Sequence, residues 1–161
     1  MSENISVPAK GNFVMSDPPF ATALFNNTKL SWIWLLVRLY LGYEWFIHGL
    51  EKAANEAWWN GQAILGFWTR AVAIPEAPAR PLIAFDWYRS FLQSLIDSNA
   101  QTWFGPLVVI GEILVGAALI LGLFTGIAAF FGGFLNWNFM MAGTASTNPV
   151  MILIAILLVL A

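Results

Sequence analysis

Residues 31–50, SWIWLLVRLYLGYEWFIHGL, would span a bilayer as one helix, yet they carry Arg38, Glu44 and His48 inside the apolar run. An ionisable side chain at the centre of such a helix costs about 2.5–3.5 kcal/mol on insertion scales, so groups like these face a bundle interior, a partner or a watery cavity. This segment is therefore the first place to look for function.

The rest of the chain sets the class. It is 59% hydrophobic and 10% charged, with a mean hydropathy of +0.70, which does not describe a soluble domain. Three more apolar stretches follow at 104–121, 126–142 and 149–161, and a spanning helix needs about 20 residues. The expectation is an all-α protein, multi-pass in the cell membrane, with four transmembrane helices in residues 31–161 behind a polar tail in residues 1–30. The last run reaches Ala161 without a polar flank, so either the natural chain continues or this helix ends against a partner.

Between the first and second spans, residues 54–73 and 85–100 carry apolar residues at helical spacing. Pro75, Pro78 and Pro81 separate them, and Trp58, Trp59, Trp68, Trp87 and Trp103 are rings suited to headgroup depth. Two interfacial helices capping one end of the bundle, within residues 54–103, follow from this. The tail lacks the basic start and apolar core of a secretory signal, so it should stay on the mature protein, either frayed in solvent or lying along a neighbouring subunit. Lysine and arginine counts in the flanking segments lean toward a cytoplasmic N-terminus.

A net charge of −2 provides no basic patch for nucleic acid. Without cysteine there is no disulfide, thiolate nucleophile or cysteine-held iron–sulfur cluster. His48 is the single histidine, too little for a metal site that needs three or four ligands; it reads as a proton carrier or as a partner of a carboxylate. The expectation is no metal and no intrinsic cofactor.

At 100° per residue, Arg38, Gly42, Trp45, Gly49 and Lys52 share one face of the first helix, with His48 beside it. The glycines let another helix or a ligand come close. Lys52, near the helix end, reads as a snorkelling lysine. Arg38 lies deeper, and Glu112 on the second helix is an evident counter-charge: the two either form a structural ion pair or belong to a functional site. In the functional version Glu112 or Glu44 relays protons to a bound redox ligand. On the third helix Asn136 lines one side and Asn138 points elsewhere; hydrogen bonds between helices or contact to a quinone carbonyl are the two readings of such amides.

Three segments together resemble the DoxX-like membrane proteins, a family that includes the thiosulfate:quinone oxidoreductase membrane subunit: RLYLGYEWFIHGLEK, GEILVGAALILGLFTGIAA and NFMMAGTASTNPV. The resemblance runs from about residue 35 to the end and leaves out the tail. It implies a four-helix membrane bundle, associated in some members with redox partners, and it carries over to Arg38, Trp45, Lys52 and Glu112; Glu44 and His48 fall between the motif positions. The expected function is a membrane subunit of a quinone-linked redox complex, with Glu112 and His48 as catalytic proton carriers and Arg38, Trp45, Lys52 and Asn136 as quinone- or ligand-binding residues. The alternative is a non-catalytic accessory subunit of a respiratory or photosynthetic membrane assembly. The partners expected are lipid and other membrane subunits. A transporter is a weaker third reading, since no inverted repeat or broken helix supports one.

Overall fold

The computed structural model describes residues 18–25 and 27–161, and those residues are all-α, with no strand among them. The expected fate of the tail falls largely on residues 1–17, outside the described residues. The described tail residues 18–25 pack back on the first long helix. Helix α1 (Pro19–Phe25) precedes a 3-10 turn (Thr28–Leu30) and helix α2 (Ser31–Ala53). Trp34 Nε1 donates to the Leu24 carbonyl at 3.0 Å, and its ring stacks on Phe25.

Four long helices form the body: α2, α6 (Gln101–Leu121), α7 (Thr125–Met141) and α8 (Asn148–Leu160). They run up and down. The most extensive interfaces are α2 with α6 and α7 with α8, while α6–α7 and α2–α8 contacts close the ring. Leu41 and Trp45, Val115 and Leu119, Ala128 and Ala129, and Met151, Ala155 and Leu158 meet in one apolar core.

The α2–α6 seam is close because glycine lines it. A Cβ on Gly116 would sit 2.5 Å from Phe46 N, and one on Gly49 would sit 2.7 Å from Ile113 Cγ1. Small residues at such positions let backbones approach, as in membrane helix pairs generally. A Cβ on Gly111, in contrast, would meet nothing on another element within 4 Å.

The segment expected as one interfacial helix at 54–73 is two: α3 (Glu56–Trp59) and α4 (Gln62–Val72). The break has local causes. Asn55 Oδ1 accepts from Ala57 N at the start of α3, Asn60 Oδ1 accepts from Gln62 N at the start of α4, and Gly61 between them has φ +79°, a region open to glycine and costly to most residues. Helix α5 (Asp86–Asp97) follows the proline-rich connection. Ile64, Trp68, Ile83, Tyr88 and Leu92 pack with Val108 and Ala142 into a second core that joins this cap to the bundle. Trp68 is thus a core residue, 3% exposed, rather than part of an aromatic belt, whereas Trp59, Trp87 and Trp103 are exposed. Tyr88 donates to Asn138 O and Oδ1 at 3.0 and 3.1 Å, and burial pushes its phenol up to about 12.

The structure narrows the expectation of four spans. Among the described helices, α6 alone is both long and apolar enough to cross a membrane, with a mean hydropathy of 2.3 over its most apolar window. Helix α2 has 23 residues but carries Arg38, Glu44, His48, Glu51 and Lys52. Helices α7 and α8 have 17 and 13 residues, and α8 begins inside the GTASTNP segment, at Asn148. The outward faces are nonetheless apolar: Leu36, Leu114, Leu121, Ile127, Phe130 and Leu153 are each more than half exposed.

Candidate ligand-binding cleft

At the capped end, the helices leave a cleft of about 670 Å³. The C-terminal half of α2 sends Trp45, His48 and Lys52 to it, one and two turns apart. Glu112 comes from α6, Asn136 and Phe139 from α7, and Thr144, Thr147, Asn148 and Met151 from the α7–α8 connection and the start of α8. The cap closes one side with Trp58, Ala63, Gly66, Phe67 and Arg70.

Charge is concentrated in one pair. Lys52 Nζ donates to Glu112 Oε2 at 2.7 Å, with the Glu112 side chain 1% exposed and that of Lys52 20% exposed. The ammonium also lies 5.3 Å from the centre of the Trp58 ring, a distance at which the ring face attracts a cation. The expected Arg38–Glu112 pair does not form. Arg38 lies at the other end of α2, and Lys52, expected to reach outward to the interface, turns inward instead. The reason is axial: fourteen residues of helix separate the two cations by about 21 Å, and only Lys52 is level with Glu112.

His48 stands on the rim, its ring between Glu51 Oε2 at 3.3 Å from Nδ1 and Glu44 Oε2 at 3.6 Å from Nε2. Those contacts lie along the exposed side of α2. No group of three or more potential metal-ligating side chains occurs among the described residues.

Two residues that line this cleft hold three buried polar atoms with no hydrogen-bond partner among the described residues: Trp45 Nε1, which lies against Gly132 of α7, and Asn136 Nδ2 and Oδ1. Trp45 is 2% exposed and Asn136 0%. Such groups normally find partners, and leaving one unpaired costs roughly 1–3 kcal/mol. The neighbouring amide, Asn138, is fully employed: besides accepting from Tyr88 it donates to Phe134 O at 2.8 Å. Asn138 thus acts as glue between helices, and Asn136 does not.

Of the residues singled out in the sequence, Trp45, His48, Lys52, Glu112 and Asn136 are brought together, and Arg38 is not. The cap side of the cleft was missed. Its signal was present, since Ala63, Gly66, Phe67 and Arg70 recur at the spacing of one helix face.

A family model described as DoxX matches residues 33–145. No curated protein and no solved structure matches the chain.

Proposed function

The chain belongs to the DoxX family and is a membrane protein, and from that premise we propose that α2, α6, α7 and α8 all cross the cell membrane, that α3–α5 lie at its surface, and that the cleft binds a quinone for a redox complex built with other membrane subunits. The apolar outer faces of the four helices support the spans. At about 1.5 Å per residue, α2 and α6 match the roughly 30 Å hydrocarbon core, and the bilayer thins around the shorter α8.

The observation that carries the binding reading is the set of unpartnered atoms on Trp45 and Asn136. In a membrane such groups cost several kcal/mol unless a partner arrives, and a carbonyl-bearing ring fits what they offer. Trp45 Nε1–H and Asn136 Nδ2–H donate to a carbonyl, while Phe67, Phe139 and Trp58 supply apolar walls. A bound quinone supplies two-electron, two-proton chemistry that no side chain provides. The protein's own part is to hold and deliver protons. Glu112 keeps one within reach through its hydrogen bond to Lys52, and His48, half in water, exchanges with solvent through Glu44 and Glu51. Electrons come from a donor subunit docked on the bundle.

Decylubiquinone titrated into the protein in nanodiscs, followed by quenching of tryptophan fluorescence, tests this. Saturable binding of one quinone per chain is expected, with Asn136→Leu and Trp45→Phe each raising Kd about tenfold for one lost hydrogen bond. Equal binding by the wild type and a folded double variant would sink the proposal. Deleting the subunit from its host complex separates the alternative: lower assembly yield with unchanged turnover in what assembles makes this an accessory subunit.

A further inference from the structure

We infer that the cleft at the opposite end of the bundle, away from the cap, binds a phosphate oxyanion with Arg38 as its cation. The end of α1 and the 3-10 turn, the start of α2, the first residues of α7 and the end of α8 enclose about 540 Å³ there, lined by Thr28, Ser31, Trp34, Arg38, Thr125 and Leu158 among others. Arg38 is half-buried, and among the described residues no carboxylate lies within 4 Å of it. Its Nε is buried without a hydrogen-bond partner among the described residues. The described residues of this end, 27–38, 118–127 and 155–161, hold Lys29 and Arg38 and no aspartate or glutamate.

The guanidinium is also held in place. Gly122, at φ +74°, presses on it so closely that a Cβ would overlap Nη1. The turn around Gly122 delivers the start of α7, where Phe124 at the N-cap supplies no side-chain hydrogen bond and leaves the first amides of a 17-residue helix open beside Thr125. A cation with no counter-charge among the described residues, about 10 Å in from the start of α2, is costly in a membrane. A planar fork of N–H donors matches phosphate oxygens two at a time, and helix amides add to the same field. The oxyanion comes either from an anionic phospholipid headgroup, with its glycerol against Trp34 and Leu158, or from free phosphate. The two clefts lie at opposite ends, so this inference stands whether or not a quinone binds at the other.

Native mass spectrometry of the chain in mild detergent tests it, with the wild type, Arg38→Gln and Arg38→Lys each offered palmitoyl-oleoyl phosphatidylglycerol, the matching phosphatidylcholine and inorganic phosphate. The wild type should retain one phosphatidylglycerol about tenfold more tightly than Arg38→Gln, with Arg38→Lys between them because it keeps the charge and loses the fork. Phosphatidylglycerol that survives millimolar phosphate identifies the lipid as the source; phosphate that displaces it, with the same dependence on Arg38, identifies the free anion. Equal retention of both anions by the wild type and Arg38→Lys, or phosphatidylcholine held as tightly as phosphatidylglycerol, would overturn the inference. Neither of those outcomes depends on Arg38→Gln, so a failure of that variant to fold leaves the test intact.

Discussion

Removing Lys52 should harm the protein more than removing Glu112, even though each change breaks the same 2.7 Å contact. The two charges differ in where they can go. Glu112 is 1% exposed at the middle of α6, and Lys52→Met leaves its buried carboxylate without the cation it is paired with; a stranded buried charge costs about 3–5 kcal/mol. Lys52 sits next to the last residue of α2 with a fifth of its side chain already exposed. In Glu112→Gln its four-carbon stem can swing the ammonium outward, and the amide can still accept a hydrogen bond, so the loss should be about 1–2 kcal/mol. At roughly 2–4 °C per kcal/mol for a chain of this size, Lys52→Met should lower the apparent Tm by about 6–20 °C and Glu112→Gln by about 2–8 °C. Intrinsic tryptophan fluorescence during heating in nanodiscs reads both. The double variant Lys52→Met/Glu112→Leu should recover most of the loss of Lys52→Met, since an apolar replacement leaves no charge stranded. Glu112→Gln proving as costly as Lys52→Met, or a double variant no better than Lys52→Met, would refute the argument that desolvated charge governs this contact.

Gly116→Ala should destabilise by about 1–3 kcal/mol, because its Cβ meets the Phe46 backbone at 2.5–2.7 Å and α2 must move away. Gly111→Ala, one and a half turns earlier with nothing within 4 Å, should be neutral or stabilising by up to about 1 kcal/mol through helix propensity; matching Tm changes in the two variants would count against the close seam. For Tyr88, the fold favours the neutral phenol, so between pH 10 and about 12 the unfolded chain releases a proton that the native state retains. Stability from this group is therefore present below pH 10 and is lost as pH rises toward 12, at up to about 1.4 kcal/mol per pH unit. Tyr88→Phe should remove that alkaline slope while costing about 1 kcal/mol at neutral pH for the bond to Asn138; a slope unchanged in Tyr88→Phe denies the role.

Helical periodicity placed Arg38, Trp45 and Lys52 on one face, and the structure keeps them there. Periodicity reports an angle about the axis, however, and a site also needs a level along it. Arg38 and Lys52 share an angle and lie at opposite ends of the bundle, so grouping them into one site was an error of level. The missing quantity was the register of α6 against α2, and it was written in the glycines. Gly42 faces Ile120, Phe46 faces Gly116 and Gly49 faces Ile113, numbers rising on one helix as they fall on the other. Each large side chain on one helix meets a glycine on its partner, and sliding the pair by a turn would set Phe46 against a residue with a side chain. On that register Lys52 arrives beside the turn of α6 that bears Glu112, and Arg38 arrives beside Gly122, where α6 has ended. The counter-charge of Glu112 is thus selected by the packing of neutral residues several turns away. Charge alone would have paired Glu112 with either cation; steric fit along the seam leaves it only one. For the cap residues Gly66, Phe67 and Arg70 the shared helix face is legible in the spacing and the level is not, because the level is set by where Gly61 breaks the interfacial helix, a backbone event that an apolar repeat running on both sides of it conceals.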